Sequence, residues 1–327
     1  MEPVRVVLSL VLPVFNEAAA LPELSRRLTA VLDTLQETYE IIFVNDGSTD
    51  QSLSTLAALA AQNERVKIIN FSRNFGHQLA ITAGLDYSCG QAVVVMDADL
   101  QDPPEVLPLL LQQWRNGYDV VYAVRTERQG ESAFKRGTAA LFYRLFTRVA
   151  QVEIPANVGD FRLMSRRAVD ALHTLRERQR FVRGLSSWIG FPQTAITFVR
   201  ESRYAGATKY PFRKMLRFAL DGFASFSLAP LQLATYLGLS AAAMSLGYLC
   251  YAIGLKLFTD RSIPGWASLI VAVLFVGGVQ LLTLGIIGEY VGRIYEEVKQ
   301  RPLYIVADTI GFTRSDTNHH TLPPERL

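Results

Sequence analysis

Asp97 and Asp99, separated only by Ala98, follow directly on the uncharged run Ala92-Val93-Val94-Val95-Met96. An unbroken apolar run of that length reads as a strand buried on both faces, so both carboxylates leave its carboxyl end together. In open α/β sheets that end is where ligands bind. Two carboxylates spaced by one small residue suit a hard divalent cation that must bridge a diphosphate. Leu100-Gln101-Asp102-Pro103-Pro104 comes next. The double proline stops the strand and can open a helix.

Three earlier segments carry the same kind of polar group where a strand should end. They are Asn16-Glu17, Asn45-Asp46-Gly47-Ser48-Thr49-Asp50, and Ser72-Arg73-Asn74-Phe75-Gly76-His77. Helix capping accounts for one of Ser48, Thr49 and Asp50. It does not account for four consecutive strands that all end in acids or amides. A sugar nucleotide does: its base takes a hydrogen-bond acceptor and donor, its ribose takes carboxylates, and its diphosphate takes a cation.

Basic residues follow the fifth strand: Arg125, Arg128, Lys135 and Arg136. Guanidinium forks suit phosphate oxygens, and a solvated basic loop is the other reading. Asp160 follows Gly159 and precedes an expected helix over residues 165–175, so it is either a helix cap or a site carboxylate.

The elements that must position these groups alternate. Strands are expected over residues 6–12, 39–44, 66–71, 92–96 and 119–124. Helices are expected over 18–36, 52–62, 78–88 and 104–116. Repeated units of this size imply an α/β domain with a parallel, doubly wound sheet. The first strand leads into Pro13-Val14-Phe15-Asn16-Glu17, with neither Gly-x-Gly-x-x-Gly nor Gly-x-x-x-x-Gly-Lys-Ser/Thr. That disfavours a dinucleotide-binding enzyme or a P-loop ATPase.

The chain has 327 residues and a net charge of +3, too small to argue for nucleic acid. Half of its residues are hydrophobic, and the excess is concentrated toward the C-terminus. Cys89 and Cys250 form no framework and are expected as buried apolar thiols. Residues 6–14 are too short, and wrongly followed, for a cleavable signal peptide.

Residues 213–229 mix Arg213, Lys214 and Arg217 with Phe218, Phe223 and Phe226, as an interfacial amphipathic helix does. Two apolar stretches follow, about 231–255 and 267–291, each long enough for a bilayer that takes about 20 residues. Basic residues gather outside this hairpin, which puts both termini in the cytoplasm by the positive-inside rule. Glu289 and Arg293 can pair one turn apart. Residues 303–306 are expected as one more strand, and 315–327 as a polar, disordered tail in which His319-His320 has no metal role.

Together these segments resemble the family-two glycosyltransferases of the GT-A fold, and more narrowly the polyisoprenyl-phosphate glycosyltransferases. The resemblance runs from Val11-Leu12-Pro13-Val14-Phe15-Asn16-Glu17 through Asn45-Asp46-Gly47-Ser48, Ser72-Arg73-Asn74-Phe75-Gly76 and Asp97-Ala98-Asp99. It continues through Gly159-Asp160-Phe161-Arg162 to Gly288-Glu289-Tyr290-Val291-Gly292-Arg293.

The resemblance implies roles. Pro13, Phe15, Glu17, Asp46, Asn74 and Asp97 would hold the donor nucleotide, with Glu17 on ribose and Asp46 on uracil. Asp97, Asp99 and Gln101 would hold Mg²⁺ or Mn²⁺, and Asp160 and Asp99 would be catalytic. Arg125, Arg136, Lys135, Arg203 and Lys209 would meet phosphate, the last two on a mobile loop hinged at Gly206. Arg180 and Arg183 would lie on the acceptor side.

The implied activity is inverting transfer of a hexose, glucose first, from a UDP-sugar to undecaprenyl phosphate at the cytoplasmic membrane face. The implied organisation is a catalytic domain (1–212), an interfacial helix (213–229), a transmembrane hairpin (230–292) and a cytoplasmic C-terminal segment (293–327), with a homo-oligomer left open. A processive polysaccharide synthase and a non-catalytic membrane scaffold are the alternatives. The missing Gln-x-x-Arg-Trp pattern argues for a single transfer.

Overall fold

The structure, a computed structural model, describes residues 6–125, 158–178, 180–199, 229–258 and 265–312. Those up to 199 and from 301 onward belong to one compact unit, and those from 229 to 300 to a second.

The first unit is built on β1 (Leu8–Val14), β2 (Tyr39–Asn45), β3 (Val66–Phe71) and β4 (Ala92–Val95). They are joined by α1 (Leu21–Thr34), α2 (Ser52–Gln62) and α3 (His77–Tyr87). β1 pairs in parallel with both β2 and β4, and β2 in parallel with β3. Every residue of β1, β2 and β4 is buried, because helices cover both faces of these strands. α1 presents Leu21, Leu24, Leu28 and Leu32 at helical spacing to one face. α3 lies so close on the other that a Cβ at Gly84 would stand 2.1 Å from Val11 Cγ1.

A 3₁₀ turn at Pro104–Val106 leads into α4 (Leu107–Arg115) and then β5 (Val120–Arg125). Then come β6 (Val158–Ser165), α5 (Arg166–Thr174), α6 (Val182–Trp188) and β7 (Gln193–Phe198). The sheet order is β7-β5-β6-β4-β1-β2-β3, closed by an eighth strand, β8 (Val306–Ile310), beside β3.

The sheet is therefore mixed and not simply parallel. β6 runs antiparallel between β4 and β5, and β8 runs antiparallel to β3. β6 is buried along its whole length, so no alternating pattern marks it out. It spans residues where the sequence suggested only the approach to a helix. The helix itself starts at Arg166 and is capped by Ser165, whose Oγ accepts from the Ala168 amide at 3.3 Å. Asp160 thus lies inside a strand, five residues from the cap position, and is no helix cap.

The last strand begins at Val306, the final residue of the stretch 303–306 expected for it, and runs on to Ile310. Tyr304 explains the offset: its ring stacks on Phe71 at 5.2 Å and its hydroxyl donates to Asp86 Oδ2 at 2.8 Å. That docked side chain occupies the position just before the ladder starts.

The cysteines correct another expectation, since both Cys89 and Cys250 are exposed. Cys89 sits at a turn whose amide and thiol donate to Glu40 Oε1 at 2.9 and 3.2 Å.

The second unit holds two long helices, α7 (Ala229–Phe258) and α8 (Trp266–Val298), packed on each other. Each outruns the span expected from hydropathy. Within α8, Arg293 Nε donates to Glu289 Oε1 at 3.0 Å, the anticipated one-turn pair. Among the described residues one stretch, Phe275–Val298, is long and apolar enough to cross a membrane by length and composition, where two were expected. Nearly all of the interfacial stretch 213–229, and all of the tail 315–327, lie outside the described residues.

Candidate active site

Because β1, β2, β3 and β4 are mutually parallel, their carboxyl ends share one rim. Asn16 turns the chain after β1 at φ 58°, a left-handed conformation that asparagine tolerates. Its Oδ1 accepts from the Thr49 amide at 2.8 Å, and its own amide donates to Ser48 Oγ at 3.0 Å. Asp50 takes the expected helix-end role in part. Its Oδ1 accepts from the Ser52 amide at 2.9 Å, although the N-cap position falls on Gln51.

The loops after β2 and β3 are fitted to each other. Gly47 adopts φ +67°, and a Cβ there would lie 2.5 Å from Arg73 C and Asn74 N. Asp46 is buried beneath this contact. Its Oδ1 accepts from the Phe75 amide at 2.6 Å, and its Oδ2 from the Gly76 amide at 3.0 Å. Burial raises the Asp46 carboxyl above its ordinary range, with those two amides only partly opposing the rise. Asn74 Nδ2 donates to Asp46 O at 3.1 Å. Pro13 is buried in β1, Glu17 is part-exposed, and Phe15 stands 47% exposed at the strand end.

At the end of β4, Ala98 and Leu100 are buried in the core while Asp97 and Asp99 are part-exposed. The alternation turns both carboxylates to the same side. Leu100 closes the turn at φ 62°. Asp99 Oδ1 accepts from the Gln101 amide at 3.1 Å. Asp102, fully buried, holds the start of the turn by accepting from the Asp97 amide at 3.3 Å.

The antiparallel course of β6 brings Asp160 to this place. Val95 pairs with Arg162, so two residues further along β4 and two residues back along β6 set Asp97 beside Asp160. His77, at the start of α3, lies between them. Its Nε2 is 3.1 Å from Asp160 Oδ2 and 3.5 Å from Asp97 Oδ1. On the other side Arg183, from α6, grips Asp160 with Nε on Oδ1 at 2.8 Å and Nη2 on Oδ2 at 2.9 Å. Gln78 Nε2 adds a bond to Oδ2 at 3.3 Å, while its Oε1 accepts from the Val182 amide.

Asp160 is only 4% exposed. Burial by itself would push its carboxyl up, but the Arg183 and His77 bonds hold it well below the ordinary carboxylate range. For His77 burial favours the neutral ring, yet the Asp160 bond and the charges of Asp97 and Asp160 raise its pKa. The centre is therefore an ionised carboxylate clasped between a guanidinium and an imidazole, next to a pair of further acids.

Asp97, Asp99 and Asp160 are all expected from the sequence, and the structure brings Asp97 and Asp160 together through His77. Arg183, expected on the acceptor side, grips Asp160 instead, and His77 takes a place for which the sequence implies no role. The only signal was position: His77 closes the Ser72–His77 strand end. Arg180 does not join the site, because its guanidinium bonds the carbonyls of Leu175 and Leu172. Arg125 is the last residue of β5 and so lies in the strand, not after it. Lys135, Arg136, Arg203 and Lys209 lie outside the described residues.

Among the described residues, no group of three or more His, Cys, Asp or Glu side chains could hold a metal ion. Asp97 and Asp99 supply two carboxylates, both hard oxygen ligands. Mg²⁺ and its relatives are commonly bound by one or two carboxylates together with substrate phosphates and water. The donor set therefore fits a cation that shares a diphosphate, and does not form a closed protein cage.

Residues 9–172 match the description "Glycosyl transferase family 2", and residues 229–294 match "GtrB C-terminal hairpin". The uncharacterized glycosyltransferase YkcC of Bacillus subtilis strain 168 is 53% identical over 93% of this chain and 94% of its own length. A bactoprenol glucosyl transferase of Shigella phage SfII is 44% identical over 91% of this chain and 97% of its own. A prophage bactoprenol glucosyl transferase homolog of Escherichia coli K12 is 41% identical over 91% and 98%.

Proposed function

Since the chain belongs to glycosyl transferase family 2, with a mixed α/β sheet of GT-A type, we propose that it transfers one glucosyl unit from a UDP-sugar to a polyprenyl phosphate at a membrane surface. The observation that carries this reading is the single rim where Asp97 and Asp99 leave β4 beside the His77–Asp160–Arg183 cluster. The names of the phage and prophage relatives support glucose and bactoprenol as the transferred group and acceptor.

In this reading a phosphate oxygen of the lipid attacks the anomeric carbon, the bond from that carbon to UDP breaks, and configuration inverts. The attacking group needs little help with its proton, since a phosphomonoester's second pKa is about 6. Asp160 matches that chemistry. It is held ionised and both its oxygens are engaged, so it orients its neighbours and does not collect a proton. Phe15, Pro13, Glu17, Asp46 and Asn74 line the nucleoside side of the rim. Asp97 and Asp99, with Gln101, would hold Mg²⁺ or Mn²⁺, which when bound neutralises charge on the leaving diphosphate. Arg125, Lys135, Arg136, Arg203 and Lys209 are the proposed phosphate contacts.

The domain plan follows the sequence: a cytoplasmic catalytic domain over 1–212, an interfacial helix over 213–229, a two-span hairpin over 230–292 and a cytoplasmic segment over 293–327. The hairpin family matched over residues 229–294 supports the hairpin part of this plan.

The test is to incubate membranes containing the protein with a panel of nucleotide sugars and undecaprenyl phosphate, then weigh the lipid product. A lipid carrying a single hexose supports the reading. Polymer would favour a processive synthase, and no lipid-linked sugar from any donor would overturn the reading.

A further inference from the structure

Arg162 is 0% exposed and stands among the largest fully buried side chains of the protein. It lies two residues from Asp160 on β6, hence on the same face of the strand. Among the described residues its three bonds reach two carbonyls and a hydroxyl, and no carboxylate. Nη2 donates to Gly159 O at 2.8 Å, Nε to Asp160 O at 3.3 Å, and Nη1 to Ser186 Oγ.

Ser186, also fully buried, passes the connection on by donating to Arg183 O at 3.0 Å. The guanidinium also lies over the Tyr122 ring, 5.3 Å from its centroid. Tyr122 Oη is 3.0 Å from Ser187 Oγ, which bonds Arg183 O at 3.3 Å. Both routes end on α6 at the residue that clasps Asp160.

A buried guanidinium without a carboxylate partner is costly, and a packed apolar residue of like volume commonly serves stability as well or better. Burial also lowers the Arg162 pKa to about 10, against the pull of Asp160 and Tyr122. What an apolar residue could not do is span three acceptors at fixed angles, as the planar fork does. We propose that Arg162 is a positioning residue: it locks the backbone of Gly159 and Asp160 to the Ser186 turn of α6, and so sets the register in which Arg183 meets the Asp160 carboxylate. The consequence for transfer rests on the function proposed above, whereas the clamp itself does not.

The experiment uses the full chain with Arg162→Met, Arg162→Lys and Ser186→Ala, and two readouts. The first follows the Arg183 Nε–H by nitrogen NMR. Its exchange with water is expected to speed up by about ten-fold or more in Arg162→Met while global unfolding is little changed. The second splits kcat from KM: kcat is expected to fall about ten-fold or more, with the donor KM within about two-fold. Ser186→Ala should move both readouts the same way by less, and Arg162→Lys should recover part of the loss. A folded Arg162→Met protein with unchanged Arg183 exchange overturns the proposal whatever the activity. Should Arg162→Met fail to fold, unchanged exchange in Ser186→Ala overturns it. If the wild-type protein transfers no sugar to polyprenyl phosphate, the function falls and the exchange readout still decides the clamp.

Discussion

Arg183 holds Asp160 by a two-point grip, Nε on Oδ1 at 2.8 Å and Nη2 on Oδ2 at 2.9 Å. Fork-on-carboxylate geometry of this kind fixes direction as well as charge. It makes Asp160 a poor place to put a proton and a good fixed point from which to orient a neighbour.

Asp160→Asn keeps the shape and removes the charge. The expected outcome is a fall in kcat of about 10²–10³-fold, the scale of losing one preorganised electrostatic contact, with donor affinity little altered. Steady-state kinetics with varied donor and acceptor would measure it. Near wild-type turnover would take Asp160 out of the mechanism.

The pH behaviour of the cluster has two sides with opposite signs. The Asp160 pKa is depressed in the folded protein, so its stabilising contribution is present above the ordinary value of 3.8 and disappears as pH falls through the folded one. The His77 pKa is raised above 6.5, so its contribution is complete below 6.5 and fades as pH rises through the higher folded value. His77→Gln should therefore lower the thermal midpoint most at pH values below 6.5, and the two proteins should converge on the alkaline side. Melting curves across a pH series read this directly, and a difference independent of pH would contradict it.

Asp97→Asn and Asp99→Asn should each remove the part of UDP binding that depends on a divalent cation. Calorimetric titration with Mn²⁺ and then with a chelator would separate the two parts. Wild-type affinity should drop to the variants' level when the metal is removed. Equal metal-dependent binding in wild type and variants would place the cation elsewhere.

Gly47→Ala tests the seam between two site loops. The backbone sits at φ +67°, and the added carbon would lie 2.5 Å from backbone atoms of Arg73 and Asn74. The expected cost is about 1–3 kcal/mol, from a strained conformation plus a clash that only backbone movement relieves. Chemical denaturation would measure the stability, and UDP binding should weaken in parallel because both loops border the proposed nucleoside side.

Tyr304→Phe should cost about 1 kcal/mol by removing one hydrogen bond to Asp86. Asp86→Ala should cost more. It strands Arg176 Nη1, 2.8 Å from Asp86 Oδ2, along with the Tyr304 hydroxyl. Thermal unfolding of the two variants side by side gives the order, and the reverse order would refute it.

The parallel half of the fold was legible because its strands are mostly apolar runs with polar groups after their carboxyl ends. Ser52–Gln62 and Val66–Phe71 fall where the residue pattern puts them. The antiparallel strand β6 was not legible. Its charged members Asp160 and Arg162 look exposed on paper, yet both are buried because Arg183, His77 and backbone carbonyls satisfy them. Asp97 and Asp99 could be named from their strand-end positions, and Asp160 only through the family resemblance. The side chains that hold Asp160 could not be named, since His77 and Arg183 meet it across separations of 83 and 23 residues. Only the β4–β6 register makes them neighbours.

β8 is the final described strand, and among the described residues it alone covers the outer edge of β3. It follows α7 and α8 in the chain, so on the ribosome the sheet stays one strand short until both long helices have been made. Through that interval β3 presents a row of unsatisfied backbone groups, the kind of edge that recruits other chains. Completion of the catalytic sheet is thus timed by synthesis of the hairpin, and a chain cut off before residue 306 would carry every acid of the site on a domain prone to pair with its own copies.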